Sequence, residues 1–110
     1  MSNATTVHEP PYYAVIFTSK MGTGEDEGYG TMAEQMVALA SNQKGFLGID
    51  NVQDGKLGIM VSYWDSIEAI QQWREHTAHK VAKQKGKNEW YKGYSLKICK
   101  VEKNYSFEKE

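Results

Sequence analysis

The sequence predicts a ferredoxin-like α+β domain, with two helices on one face of a four-stranded antiparallel sheet. Three observations carry this. Apolar residues switch between strand-like and helix-like periods in the order β-α-β-β-α-β, the split βαβ pattern. An Asp54-Gly55 pair between two strand-like runs marks a tight hairpin. The 110 residues suit one domain with one core.

The elements follow in order. Residues 1–11 read as a polar tail ending in Pro10-Pro11, and residues 106–110 as a second tail, so the domain is expected over 12–105. Tyr12 to Met21 is rich in β-branched and aromatic residues and holds no Gly or Pro, which makes it the first strand. Met21 to Gly30 holds four glycines and three acids and reads as a loop. Its Gly-x-Gly stub is a poor phosphate cradle, since Glu25, Asp26 and Glu27 would repel a pyrophosphate. A helix is expected from about Tyr29 to Ser41, because Tyr29, Met32, Met36, Val37 and Ala40 form one apolar stripe. Gly45 to Val52 and Lys56 to Trp64 are the hairpin strands, joined by a type I′ turn. Asp65, with Glu68 three residues on, is expected to cap a helix carrying Ile67, Ile70 and Trp73. Thr77 starts a further helical stretch, Ala78 to Lys85, which Gly86 ends. Tyr91 to Tyr105 is the last strand, with Leu96 and Ile98 on one face and Cys99 and Val101 on the other.

In the third strand Leu57, Ile59, Val61 and Tyr63 point one way, and Gly58, Met60, Ser62 and Trp64 the other. Neither set is strongly polar, so both faces of the sheet should be covered. The helices cover one. The other, expected to carry Gly58, Met60, Ser62 and Trp64, would be too large an apolar patch for a monomer, so a two-fold homodimer is expected, sheet against sheet.

Composition excludes several function classes. Thirteen basic against fourteen acidic side chains, a net charge of -1, disfavour nucleic-acid binding, which needs a basic surplus. No apolar run approaches the ~20 residues of a membrane span. One cysteine, Cys99, excludes an internal disulfide and multi-cysteine metal sites. The N-terminus lacks the basic and apolar regions of a secretory signal, and a reducing, cytoplasmic setting is the simplest expectation.

The runs Gly45-Phe46-Leu47-Gly48-Ile49 and Gly58-Ile59-Met60-Val61-Ser62-Tyr63-Trp64 resemble the antibiotic biosynthesis monooxygenase domain. So do Ile70-Gln71-Gln72-Trp73 with His76 and His79, and the pattern Trp90-Tyr91, Tyr94, Val101-Glu102 and Tyr105. The resemblance covers about Tyr12 to Tyr105. It implies a dimeric α+β barrel with a pocket between sheet and helices in each subunit. Some members of that family oxidise polyketide anthrones with oxygen and neither metal nor flavin; others degrade haem. The oxidising members use an Asn and a Trp near the end of the third strand. Trp64 matches the Trp, and Met60 stands where the Asn is expected. The haem-degrading members use a first-strand Asn, a second-helix Trp and a His about ten residues later. Trp73 matches the Trp, Lys83 stands in place of the His, and Tyr12 to Met21 holds no Asn.

The candidate site residues follow. Trp64 and Trp73 could wall a flat aromatic pocket fit for a small planar ligand, or anchor the core; Met60 would join the substrate-binding surface. His79 and Trp64 are the candidate catalytic residues, His79 as a pocket hydrogen-bonding residue or proton shuttle and Trp64 as the match that the resemblance implies to the oxidising members' Trp. His76 and His79 can share a helix face, but no third ligand is evident and no metal site is expected. His76, Lys80, Lys83 and Lys87 keep helical spacing, either as a solvated face or as a rim that attracts an anionic ligand such as haem propionates. Two functions therefore stand open. One is cofactor-independent oxidation of a small aromatic or polyketide-like substrate. The other is a small-molecule or haem-binding module without turnover, or a haem-degrading enzyme.

Overall fold

The computed structural model describes residues 8–21, 37–76, 83–84 and 91–109. Within them lie β1 (Tyr12–Met21), the end of helix α1 (residues 37–41), β2 (Phe46–Asp54), β3 (Leu57–Trp64), α2 (Ile67–Glu75) and β4 (Tyr91–Val101). The strands form one antiparallel sheet in the order β2-β3-β1-β4. This is the ferredoxin-like α+β fold that the element order predicts. The loop 22–30, the first turns of α1 and most of the stretch after Thr77 lie outside the described residues.

Register decides which residues share a face, because directly opposed residues of antiparallel strands project to the same side. Val15 faces Ser62 and Ile98, and Tyr13 faces Trp64. The core is Val15, Ala40, Trp64, Ala69 and Ile70, so this is the side the helices cover. Gly58, Met60, Ser62 and Trp64 therefore lie under the helices, not on the open face where the sequence reading put them. The alternation along β3 is symmetric, so it separates two faces without ranking them. Chain connectivity ranks them: α2 begins only three residues after Trp64, and it lays Ala69 and Ile70 on the indole. The open face instead carries Leu57, Ile59, Val61 and Tyr63, with Val52 beside Ile59 on β2. Val52 is 62% exposed, Leu57 55% and Ile59 42%, an uncovered apolar patch.

Three local expectations also change. The cap of α2 is Ser66, whose side chain accepts from the Ala69 N–H at 3.0 Å, and not Asp65. The Asp65 N–H is instead bonded to the Gly45 carbonyl at 2.8 Å. In the hairpin Asp54 pairs with Leu57, leaving Gly55 and Lys56 as the turn. Only Gly55 has positive φ (62°), which matches a II′ turn and excludes I′, where both central residues need it. β4 ends at Val101, short of Tyr105.

Candidate active site

The site is built on the helix side of the sheet, from the end of β3 outwards. Trp64 is wholly buried, and a buried indole N–H needs an acceptor. Ser62, two residues back on the same face of the strand, provides it: Trp64 Nε1 donates to Ser62 Oγ at 2.9 Å. Helical spacing in α2 then places Trp73 one turn beyond Ile70 and against the same indole. The two tryptophan rings lie 5.3 Å apart at 32°. Phe46, which faces Trp64 across the β2–β3 register, packs edge-on at 5.4 Å and 81°.

The surface continues towards the hairpin. Phe17 stands opposite both Met60 and Leu96, and its ring lies 5.4 Å from that of Tyr94. Met60 is half-buried and faces Asn51 on β2. Ser19 is buried opposite Gly58, where an added Cβ would come within 3.1 Å of Ser19 Oγ. Aromatic rings and a thioether thus line this side, with Asn51, Gln53, Ser19 and Ser62 among its polar groups.

The sequence-predicted residues divide. Trp64, Trp73 and Met60 share the helix side of the sheet, and Trp64 and Trp73 touch. Trp64 is the innermost of them, with its N–H committed to Ser62. His76 ends α2, half-buried, with its backbone N–H on the Trp73 carbonyl at 3.1 Å. Lys83 is exposed in a helical stretch, residues 83–84. His79 and Trp90 lie outside the described residues. Among the described residues there is no group of three or more His, Cys, Asp or Glu that could hold a metal ion.

Sequence reasoning passed over Phe46 and Ser62. Both have a signal in hindsight: Ser62 sits at i−2 from a tryptophan on a strand, and Phe46 opens the strand paired with it. It also passed over a polar cluster on the open face. There Tyr63 Oη donates to Asp50 Oδ2 at 3.0 Å. Burial first, and the Asp50 carboxylate second, push the Tyr63 hydroxyl up to about 12, so it stays a neutral donor near pH 7. Tyr12 packs edge-on against Tyr63, and Asn104 Nδ2 donates to Tyr12 Oη and to the His8 carbonyl, each at 2.9 Å.

Comparison with known proteins supports the same assignment. Residues 12–85 match the family described as antibiotic biosynthesis monooxygenase. The Bacillus subtilis (strain 168) protein YqjZ is 52% identical over 102 residues, spanning 91% of this chain and 88% of its own length. Among solved structures, Rv0793 from Mycobacterium tuberculosis superposes with a TM-score of 0.76 at 11% identity, over 86% of this chain and 99% of its own. SnoaB, a cofactor-independent oxygenase from Streptomyces nogalater, gives 0.73 at 7% identity, over 86% and 97%. PA3566 from Pseudomonas aeruginosa gives 0.70 at 19% identity, over 90% and 100%. At these identities the structural likenesses speak for the fold alone.

Proposed function

The chain belongs to the antibiotic biosynthesis monooxygenase family, and on that premise we propose that it oxidises a small aromatic or polyketide-like substrate with molecular oxygen. The observation that carries this reading is the run of rings and thioether on the helix side of the sheet: Phe46, Trp64, Trp73, Met60, Phe17 and Tyr94. Flat aromatic walls hold a planar substrate by burial and ring contacts, and fix its orientation. SnoaB, which shares this fold, is a cofactor-independent oxygenase, and the proposed reaction likewise requires no cofactor.

Such a substrate supplies its own electrons. Loss of a proton from an activated CH₂ gives a stabilised carbanion, which reduces oxygen. One oxygen atom is retained as the new carbonyl and the other leaves as water. The protein's part is to position the carbanion and stabilise its charge. Trp64 is the buried wall behind Trp73, Met60 the floor of the substrate surface, and His79 the group that takes the proton. Lys83, and His76 at the end of α2, are the residues this reading assigns to an anionic substituent of the substrate. The reading includes a homodimer closed through the open sheet face, and a reducing, cytoplasmic setting suited to the single thiol Cys99.

One observation favours a second reading, a binding module without turnover. Met60 is a thioether, a weak acceptor with no N–H, so it cannot orient a substrate as an amide would. Oxygen uptake with anthrones and hydroquinones separates the two. One oxygen consumed per substrate, lost in His79→Ala and Trp73→Ala, is the expected result. Ligand binding with no uptake above buffer would overturn the oxidation and leave the binding module. A haem titration followed by absorbance completes the test, with a saturable Soret shift at one haem per subunit as the mark of a haem ligand.

A further inference from the structure

Among the described residues two polar side chains are buried, Ser62 at 5% exposure and Ser19 at 7%. Both lie on the helix side of the sheet, on the surface assigned above to an aromatic substrate. Ser62 is already engaged, since its Oγ accepts the Trp64 N–H at 2.9 Å. Ser19 differs: among the described residues no hydrogen bond reaches its hydroxyl. A buried hydroxyl without a partner is unfavourable, and such groups are rare in folded chains.

The neighbours of Ser19 show its open side. Across the four strands its row reads Gln53, Gly58, Ser19 and Tyr94. Gln53 is turned to the hairpin, with Nε2 donating to the Gly55 carbonyl at 3.3 Å. Gly58 has no side chain, and a Cβ there would lie 3.1 Å from Ser19 Oγ. Glycine inside a strand weakens it, and commonly marks a bulge, a positive φ or a close approach. Gly58 is not at a bulge, because its pairing with β1 and with β2 runs through without a shift. Its φ is not positive either; among the described residues Gly45 and Gly55 alone have that. Packing against Ser19 does not demand a glycine, since a serine hydroxyl can turn to another staggered rotamer. Close approach remains: the missing Cβ keeps open the space beside the Ser19 hydroxyl.

We propose that Ser19 and Gly58 form a subsite for an oxygen substituent, a phenolic hydroxyl or a ring carbonyl, at the edge of the aromatic substrate. Phe17 and Met60, directly opposed, lie two residues nearer Trp64, about 7 Å along the strands. The Tyr94 ring, 5.4 Å from that of Phe17, extends the aromatic surface up to Ser19. Rings resting on Phe17 and Met60 bring an oxygen on their edge to the gap at Gly58. The serine hydroxyl has one donor and two acceptor sites, so it donates to a carbonyl or accepts from a phenol. The subsite rests on the aromatic surface of the proposed function and adds to it a choice of substrate. Oxygenated rings are preferred over plain ones, and are held in one orientation, with the oxygen towards the hairpin and the opposite end towards Trp73.

The test is calorimetric titration of the full chain with 2-naphthol and with naphthalene, which share their rings and differ by one hydroxyl. The affinity for 2-naphthol relative to naphthalene is expected to fall roughly fivefold in Ser19→Ala, the worth of one hydrogen bond, with naphthalene bound as by wild type. Gly58→Ala keeps the hydroxyl but fills the space beside it, and should lower the same ratio. A ratio unchanged from wild type in either variant, with both compounds bound, overturns the subsite and leaves the aromatic surface standing. Binding of neither compound by wild type overturns both.

Discussion

Gly45 offers the sharpest test of how α2 is held against the sheet. It joins α1 to β2 with φ at 93°, and its carbonyl receives the Asp65 N–H at 2.8 Å. A Cβ placed there would lie 2.6 Å from Ala69 Cβ and 2.5 Å from Asp65 Oδ1. Asp65 can turn away, but Ala69 is buried on α2 and cannot move without the helix. Gly55, in the hairpin turn, also has positive φ, 62°, yet a Cβ there meets nothing within 4 Å. Both Gly→Ala substitutions incur a left-handed backbone cost of roughly 1–2 kcal/mol, offset by about 0.4–1 kcal/mol of lost unfolded-state entropy. Only Gly45→Ala adds overpacking, about 1–3 kcal/mol. The difference between the two variants isolates that overlap. It should separate their melting temperatures by roughly 4–8 °C per kcal/mol. Urea denaturation of both, with unchanged m-values, measures it. A difference below ~0.5 kcal/mol would refute the view that close approach of α2 fixes this junction. In Gly45→Ala the displaced helix also carries Trp73 away from Trp64, so tryptophan fluorescence should shift in that variant and not in Gly55→Ala.

Three further outcomes are expected. Ser62→Ala leaves the Trp64 N–H buried without its acceptor and should lower unfolding free energy by about 1–3 kcal/mol, whereas Ser62→Thr, which keeps a hydroxyl, should cost less in the same denaturation assay. Tyr63 titrates higher folded than unfolded, about 12 against 10.0, so its contribution is full below pH 10 and is lost as pH rises through 12. Tyr63→Phe should therefore flatten the decline of stability between pH 10 and 12, and an unchanged decline would assign it to other groups. Ile59→Asp, on the open face, should convert a dimer to a monomer in sedimentation equilibrium with native circular dichroism; retained dimer would place the interface elsewhere.

The sequence by itself determined the element types and their order. Val/Ile/Tyr-rich runs, a glycine at the hairpin and an apolar stripe at helical spacing are local properties, and they also sufficed to place Trp64 at the end of β3 and Trp73 on α2. The side of the sheet was not local. Period-2 alternation in β3 divides Leu57, Ile59, Val61 and Tyr63 from Gly58, Met60, Ser62 and Trp64, but both sets are apolar enough to be buried. Only the packing of Ala69 and Ile70 on Trp64 decided which set the helices cover. Caps and turns were decided by competition of the same kind. Asp65 is a good capping residue by type, yet its N–H went to the Gly45 carbonyl and the capping bond to Ser66. The pairs Phe17–Tyr94 and Tyr63–Asp50 lie far apart in sequence, and strand register alone brings them together. Tertiary structure, through register and the covering of one face, therefore decided which residues lie on the helix side and which stay on the open face.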